Sequence, residues 1–340
     1  MKIYQLPQSL SQTLITGVYR TGSEYLTLLL DCHPNLSATM YRVNALRFTW
    51  PKYKQFTTKY DVEIAVSELN KRLKERYDID LPVDVIVSII LHKGMNIANF
   101  YDAVMSYLYL KDEVLNWAEK CQLMWREIDL FLSLFANGKA IHIIRDPRSV
   151  LASFKNYTNF QYPACLGAIF NCFDSMKHAV SHKVNKDIYV VKYEDILDDR
   201  DFIINSIWSF LGLSTGHEIN LSNAKDAYGN SWISNSSFEK NFSDSQFDKQ
   251  RAKFGWNEKL NYDEIALTEY ICGNLMQEFN YEMSRKPSSK IAIETFIDSL
   301  DNNSKEYFEL WKQGFGIQQF PANPILKETW DNHITTKDNL

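Results

Sequence analysis

One segment near the start of the chain restricts the fold more than any other. Thr13-Leu14-Ile15-Thr16-Gly17-Val18 is an apolar, β-favouring run that leads into the glycine-bounded turn Gly17-Val18-Tyr19-Arg20-Thr21-Gly22. Tyr25-Leu26-Thr27-Leu28-Leu29-Leu30 then reads as a buried helix. A strand that turns directly into a helix points several backbone N–H groups at one spot, and the helix N-terminus adds roughly half a positive charge there. Arg20 supplies a full charge inside the turn. The pattern predicts a strand over 12–18, a helix over 22–31 and an anion site between them. Taken alone, it describes an ordinary surface turn equally well.

The spacing Gly17, four residues, Gly22, Ser23 looks like a nucleotide-binding P-loop without its lysine. In that loop a Lys follows the second Gly and reaches the β- and γ-phosphates. Here the following residue is Ser23, and the cation has moved into the turn as Arg20. A donor without a γ-phosphate suits that shift.

Further strands are expected at Val114–Lys120, Ala140–Ile144 and Ile188–Lys192. The continuous apolar character of Ala140–Ile144 indicates burial on both faces and a parallel sheet. Helices are expected at Asp61–Tyr77, from Pro82 to about Leu110 with a break near Gly94, over 121–136, from Ser149 onward, at Pro163–Lys183, Phe202–Leu211 and Asn261–Asn280. His33-Pro34 ends the first helix, because Pro pushes the preceding residue away from helical geometry. Residues 36–60 read as irregular and aromatic, a stretch that serves either a substrate pocket or plain packing. Strands alternating with helices make an α/β fold with a mainly parallel sheet, in which ligands sit beyond the carboxyl ends of the strands. Arg20, Lys120, Arg145 and Tyr193 fall at four such ends.

Composition narrows the function. A net charge of −5 argues against a surface that coats nucleic acid. Five scattered cysteines without a CxxC pair indicate neither a disulfide framework nor a zinc site. His178 and His182 stand four apart but lack a third ligand, so no metal is expected. The first residues carry no basic segment followed by an apolar run, and no stretch approaches a membrane-spanning length. These features lead us to expect a cytoplasmic protein that engages neither nucleic acid nor membrane.

Several segments together resemble the sulfotransferase family. Tyr19–Leu26 resembles the family's 5′-phosphosulfate loop. Ile141-His142-Ile143-Ile144-Arg145-Asp146-Pro147-Arg148-Ser149-Val150-Leu151-Ala152-Ser153 is similar to its 3′-phosphate motif almost residue for residue. Trp117-Ala118-Glu119-Lys120 is similar to its W-G-[ED]-K strand end, and Val191–Ile196 to its V-x-Y-E-D-L. Trp232–Phe238, with Asn235-Ser236-Ser237, and Trp256–Tyr281 resemble its closing region. The order matches across about residues 12–283.

The resemblance implies a three-layer sandwich with a central parallel sheet, the P-loop NTPase-like sulfotransferase fold. It implies a sulfotransferase domain over 1–284, with 285–340 as a C-terminal extension packed on it or trailing from it. It implies 3′-phosphoadenosine 5′-phosphosulfate (PAPS) as donor, and a small-molecule or carbohydrate acceptor with a hydroxyl or amine. A second copy of the chain, as a homodimer, is one further partner to consider. Arg20 and the amides of Thr21, Gly22, Ser23 and Glu24 would hold the 5′-phosphosulfate. Arg145 and Ser153 would hold the 3′-phosphate, Tyr193 would lie near the adenine or its phosphate, and Arg251 or Lys253 would close over it. Lys120 would stand at the sulfuryl group or the bridging oxygen.

Two departures stand out. Glu24 occupies the family's usual Thr position, either as a favourable acid in a first helical turn or as a general base. The His that some members carry two residues after the strand-end lysine is Gln122 here. The remaining candidates for the base are Glu24, Glu119 and His92. Beside an active sulfotransferase, two readings stay open: a catalytically silent nucleotide-binding relative, and a P-loop kinase.

Overall fold

In this computed structural model residues 9–40, 42–111, 114–157, 162–225, 231–232, 249–284 and 289–319 are described. Five strands form one sheet: β1 Ser11–Gly17, β2 Leu36–Met40, β3 Asn116–Lys120, β4 Gly138–Ile144 and β5 Ile188–Lys192. Their order is β2-β3-β1-β4-β5, and every pairing is parallel. The chain leaves β1 towards one edge, returns through β3, and crosses β1 to reach β4 and β5. Such a reversal opens a crevice at the strand tips, where α/β sheets take their ligands.

Alternation along the strands sorts the core into two layers. Leu14, Trp117 and Ala140 face one side; Ile15, Ala118, Ile141 and Ile143 face the other. The second face is covered by α1 (Ser23–Leu30) and by α10 (Arg200–Phe210), through Leu26, Leu29, Ile204, Ile207 and Trp208. The first is covered by α3 (Lys59–Tyr77), α4 (Val83–Lys93), α5 (Ile97–Tyr109), α6 (Ile128–Leu134), α7 (Pro147–Tyr157), α8 (Tyr162–His182) and α13 (Tyr262–Glu278). The result is the expected three-layer sandwich. The remaining short helices are α2 (Ala45–Phe48), α9 (Tyr193–Asp198), α11 (Lys249–Phe254) and α12 (Trp256–Lys259).

Three local expectations need correction. Residues 36–40, read as irregular, form the edge strand β2, in register with β3 from Leu36↔Asn116 to Met40↔Lys120. Ser37, Ala38 and Thr39 give it no apolar run of its own, so pairing supplies what the pattern lacks. Residues 121–127, read as helical, cross the tips of β1 and β3 as a loop. Cys121 and Leu123 donate their amides to the Ile15 and Gly17 carbonyls, and Met124 to the Thr16 hydroxyl. Those bonds hold the segment on β1, and Leu123 turns left-handed at φ 58°. The helix at 193–198, α9, was also not anticipated.

Past α13, α14 (Lys290–Asp298) and α15 (Asn302–Lys312) pack against α13 and α8. Ile293, Ile297, Phe308 and Ile317 are buried in the same core as the first-face helices. Residues 314–318 are tied back to α8 and the 121–127 loop: Lys177 donates to the Gly314 carbonyl, Arg126 to the Gly316 carbonyl, and Gln318 to Glu127.

Candidate functional site

The turn between β1 and α1 is shaped by two left-handed residues, Arg20 at φ 66° and Gly22 at φ 82°. Gly22 serves two needs. Its φ disfavours a side chain, and a Cβ there would stand 2.2 Å from the Tyr193 ring. Tyr193, the first residue of α9, therefore packs flat against the turn. Thr21 faces inward: its hydroxyl donates to the Val18 carbonyl at 2.6 Å and its amide approaches the same oxygen at 3.4 Å. The Thr21 hydroxyl thus closes the turn from within. Gly22 is the N-cap of α1 and no side chain caps that end. The positive helix terminus at Ser23 and Glu24 thus faces the crevice.

Arg20 and Arg145 converge. Arg20 Nε donates to Ser153 Oγ at 2.8 Å. Arg145, just past β4, donates Nη1 to the Arg20 carbonyl at 2.8 Å and Nη2 to the Ala252 carbonyl at 2.5 Å. Its guanidinium lies 4.5 Å from the centre of the Tyr193 ring, a cation–π distance. Arg145 Nε is buried and has no hydrogen-bond partner among the described residues. A buried charged donor left unmatched is costly, and an anion at this point would satisfy it.

Asp146 and Glu194 do not hold Arg145. Asp146 is taken by Arg148, at 2.7 Å from Nη2 and 3.0 Å from Nε. Arg148 also donates to Glu269 at 2.7 Å and stacks on Trp256 at 4.0 Å. Glu194 accepts the Asp146 amide at 3.0 Å and the Tyr281 hydroxyl at 2.8 Å. This network joins β4, α9 and α13 behind the crevice. Single-residue reasoning missed it; the signal was the density of charge in Arg145–Arg148 and Tyr193–Asp195, too much for one ligand.

From α11, Ala252 supplies the carbonyl that Arg145 grips, and Lys253 accepts Ser149 Oγ on its carbonyl at 3.0 Å. The Lys253 ammonium is engaged by Asp198 at 2.7 and 2.8 Å. That ion pair ties α11 to α9. Arg251 is exposed. Asn235, Ser236 and Ser237 lie outside the described residues.

Lys120, the last residue of β3, is 1% exposed. Burial pushes its ammonium below the ordinary lysine value, the nearby Glu24 carboxylate works against that, and Arg20 adds to the lowering. Lys120, Arg20 and Glu24 therefore share one field at the β1–β3 tips. Glu119 does not join them. Its carboxylate accepts the Val43 amide at 2.7 Å, the Asn44 amide at 2.9 Å and the Tyr101 hydroxyl. Burial raises its pKa, and those donors oppose the rise. It anchors the loop after β2, because alternation sends it to the opposite face from Ala118. His92 is exposed in the last turn of α4 and makes no hydrogen bond or ion pair among the described residues.

Parallel order, a glycine-bounded turn onto an uncapped helix, and converging arginines at two adjacent tips define an α/β fold that gathers positive charge at its strand ends. The model of the sulfotransferase family matches residues 13–217, more than half of the chain, and the chain belongs to that family. The sulfotransferase domain from the Synechococcus PCC 7002 olefin synthase is similar over 83% of this chain and 99% of its own, at 18% identity and a TM-score of 0.54. The sulfotransferase domain from the curacin biosynthetic pathway is similar over 82% and 100%, at 16% identity and a TM-score of 0.52. At such identities the likeness is one of fold. A search of the curated proteins returns no match. No helix among the described residues is long and apolar enough to cross a membrane.

Proposed function

We propose that the chain binds PAPS across the tips of β1 and β4 and transfers its sulfuryl group to a hydroxyl or amine of a small-molecule or carbohydrate acceptor. The observation that carries this reading is the convergence of Arg20, Ser153 and Arg145, with the buried Arg145 Nε unmatched. The residues fit the donor. Arg20 and the uncapped α1 terminus would hold the 5′-phosphosulfate end, Arg145 and Ser153 the 3′-phosphate, and Tyr193 would floor the nucleotide.

PAPS supplies a sulfuryl group on an anhydride whose phosphate oxygen gains negative charge as the bond breaks. Arg20, Lys120 and the helix terminus are aimed at that position in a desolvated site, where fixed charge stabilises a transition state most effectively. The depressed pKa of Lys120 keeps its proton easier to share with a departing oxygen. Ser23 stands where a P-loop carries its lysine, which disfavours a kinase.

With Glu119 spent on two amides and His92 exposed, Glu24 is the remaining sequence-derived base. The same two findings favour, as a second reading, a relative that binds the nucleotide without turning over. Calorimetry with adenosine 3′,5′-bisphosphate (PAP) followed by an acceptor screen with labelled donor separates the two. Glu24→Gln should lower turnover by about 10²–10⁴-fold with PAP affinity unchanged. Unchanged turnover would remove Glu24 as base, and PAP binding without transfer to any acceptor would favour the silent relative.

A further inference from the structure

Past α15 the chain returns to the two loops that leave β1 and β3. Residues 316–319 run along α8. A Cβ on Gly316 would stand 2.4 Å from Asp174 Cβ, so the backbone there lies directly on the helix. Gln318 reaches the loop that follows Lys120: its Oε1 accepts the Arg126 amide at 2.9 Å and its Nε2 donates to Glu127 at 2.7 Å. Gln319 meets Asn171, a fully buried residue of α8. Asn171 Oδ1 accepts the Gln319 amide at 3.0 Å. Asn171 Nδ2 shares its hydrogens among the Gln319 carbonyl at 2.8 Å, the Gly167 carbonyl at 2.9 Å and the Tyr19 hydroxyl at 3.2 Å.

Reciprocal bonds to one residue fix both the plane and the sense of a side-chain amide. The Gln319 amide on Oδ1 thus sets which end of Asn171 faces Tyr19. Tyr19 is 3% exposed, its ring centre lies 4.2 Å from that of Phe154, and it directly precedes Arg20. Arg20 holds a left-handed φ of 66°, a conformation that persists in a non-glycine residue only where the surroundings impose it. Two contacts impose it here. Ser153 Oγ takes Arg20 Nε at 2.8 Å, and the residue before Arg20 is held by Phe154 and Asn171. A continuous chain of hydrogen bonds therefore runs from Gln319 through Asn171 to the turn between β1 and α1.

We propose that Asn171 is a positioning residue for Arg20, and that residues 316–319 orient it, so that the grip of this turn on a 5′-phosphate depends on a segment beyond α15. This rests on the donor reading above and adds to it a control that lies outside the crevice.

Calorimetry on the full chain compares two nucleotides: PAP, and adenosine 3′-monophosphate, which lacks the 5′-phosphate. Tyr19→Phe keeps the ring and removes the acceptor. Asn171→Ala removes the donor. Gln319→Pro removes the amide that Asn171 accepts, and Gln319→Ala restores it. Tyr19→Phe, Asn171→Ala and Gln319→Pro should each weaken PAP about two- to tenfold, with affinity for adenosine 3′-monophosphate held and PAP affinity recovered in Gln319→Ala. The double variant of Tyr19 and Asn171 should lose no more than the larger single loss, because the two changes remove one interaction. PAP affinity unchanged by Tyr19→Phe or by Gln319→Pro, additive losses in the double variant, or equal weakening of both nucleotides would each overturn the proposal. Equal weakening is what a merely structural role gives. Tyr19→Phe, the least disruptive change, decides the outcome if Asn171→Ala or Gln319→Pro fails to fold. Wild type that binds no PAP would overturn the donor reading and this inference with it; wild type that binds PAP, with variants that bind it equally well, would overturn this inference alone.

Discussion

On the β1–β4–β5 side of the crevice, the groups at the strand tips come from residues next to the strands themselves: Arg20 after β1, Arg145 after β4, Tyr193 after β5. On the β2–β3 side, Lys120 alone comes from a strand end, and the neighbouring charges, Arg47 after β2 and Arg72 and Arg76 on α3, are set by stacking on Phe48 and Tyr77. The first side is made of strand–turn–helix units that carry their own N–H donors. The second is assembled by tertiary packing around a buried carboxylate, Glu119. A unit of the first kind is specified by a few adjacent residues, whereas the second depends on a loop and a helix face that meet only in the folded chain.

The largest expected effect breaks the β2–β3 side alone. Glu119→Ala leaves the Val43 and Asn44 amides and the Tyr101 hydroxyl without their acceptor, which should cost about 3–5 kcal/mol of stability. Denaturant unfolding measures it, and a loss under about 1 kcal/mol would show that Glu119 is not the anchor. Lys120→Met sits at the boundary. It keeps the buried volume and removes the charge, so turnover should fall about 10²–10³-fold while PAP affinity holds. An equal loss in affinity and turnover would move Lys120 to the donor-binding side.

Gly22→Ala addresses the β1–β4–β5 side. It adds a Cβ at φ 82° against the Tyr193 ring, and should cost about 1–3 kcal/mol. PAP binding should weaken with it. A chain of ordinary stability that binds PAP normally would deny the packing of Tyr193 on the turn.

The smallest effect concerns the core behind β4. His142 Nδ1 and His182 Nδ1 share a hydrogen bond at 3.0 Å, and His142 Nε2 meets Ser175 Oγ at 2.8 Å. Burial holds His142 well below the usual histidine value and brings His182 down to about 4. The unfolded chain titrates near 6.5, so between those values it binds more protons than the folded chain. This contribution to stability is complete above about pH 6.5 and is lost as pH falls towards 4. Melting temperatures across that range should fall less steeply in His182→Asn than in wild type; parallel curves would contradict the assignment.

The same contrast explains what could be read in advance. β1, β4, β5 and the tips they carry were legible because each strand is a long or continuous apolar run and each tip follows within a few residues. β2 was not, because Ser37, Ala38 and Thr39 pair only once β3 is present. The 121–127 segment looked helical because its residues are good helix formers, yet its amides are taken by β1 carbonyls. Glu119 looked like a base because it precedes Lys120; alternation along β3 turns it to the other face. The stacking of Arg42 and Arg76 on Tyr77, and of Arg47 and Arg72 on Phe48, was invisible because these residues meet only through packing.

The central claim is that one nucleotide is gripped at both anionic ends by the tips of β1 and β4. Calorimetric titration of wild type and Arg145→Ala with PAP and with adenosine 5′-monophosphate, which lacks the 3′-phosphate, tests it most directly. Wild type should bind PAP about 10–100-fold more tightly than the monophosphate, and Arg145→Ala should erase that difference. Equal binding of the two nucleotides by wild type, or a preference that survives in Arg145→Ala, would contradict the account.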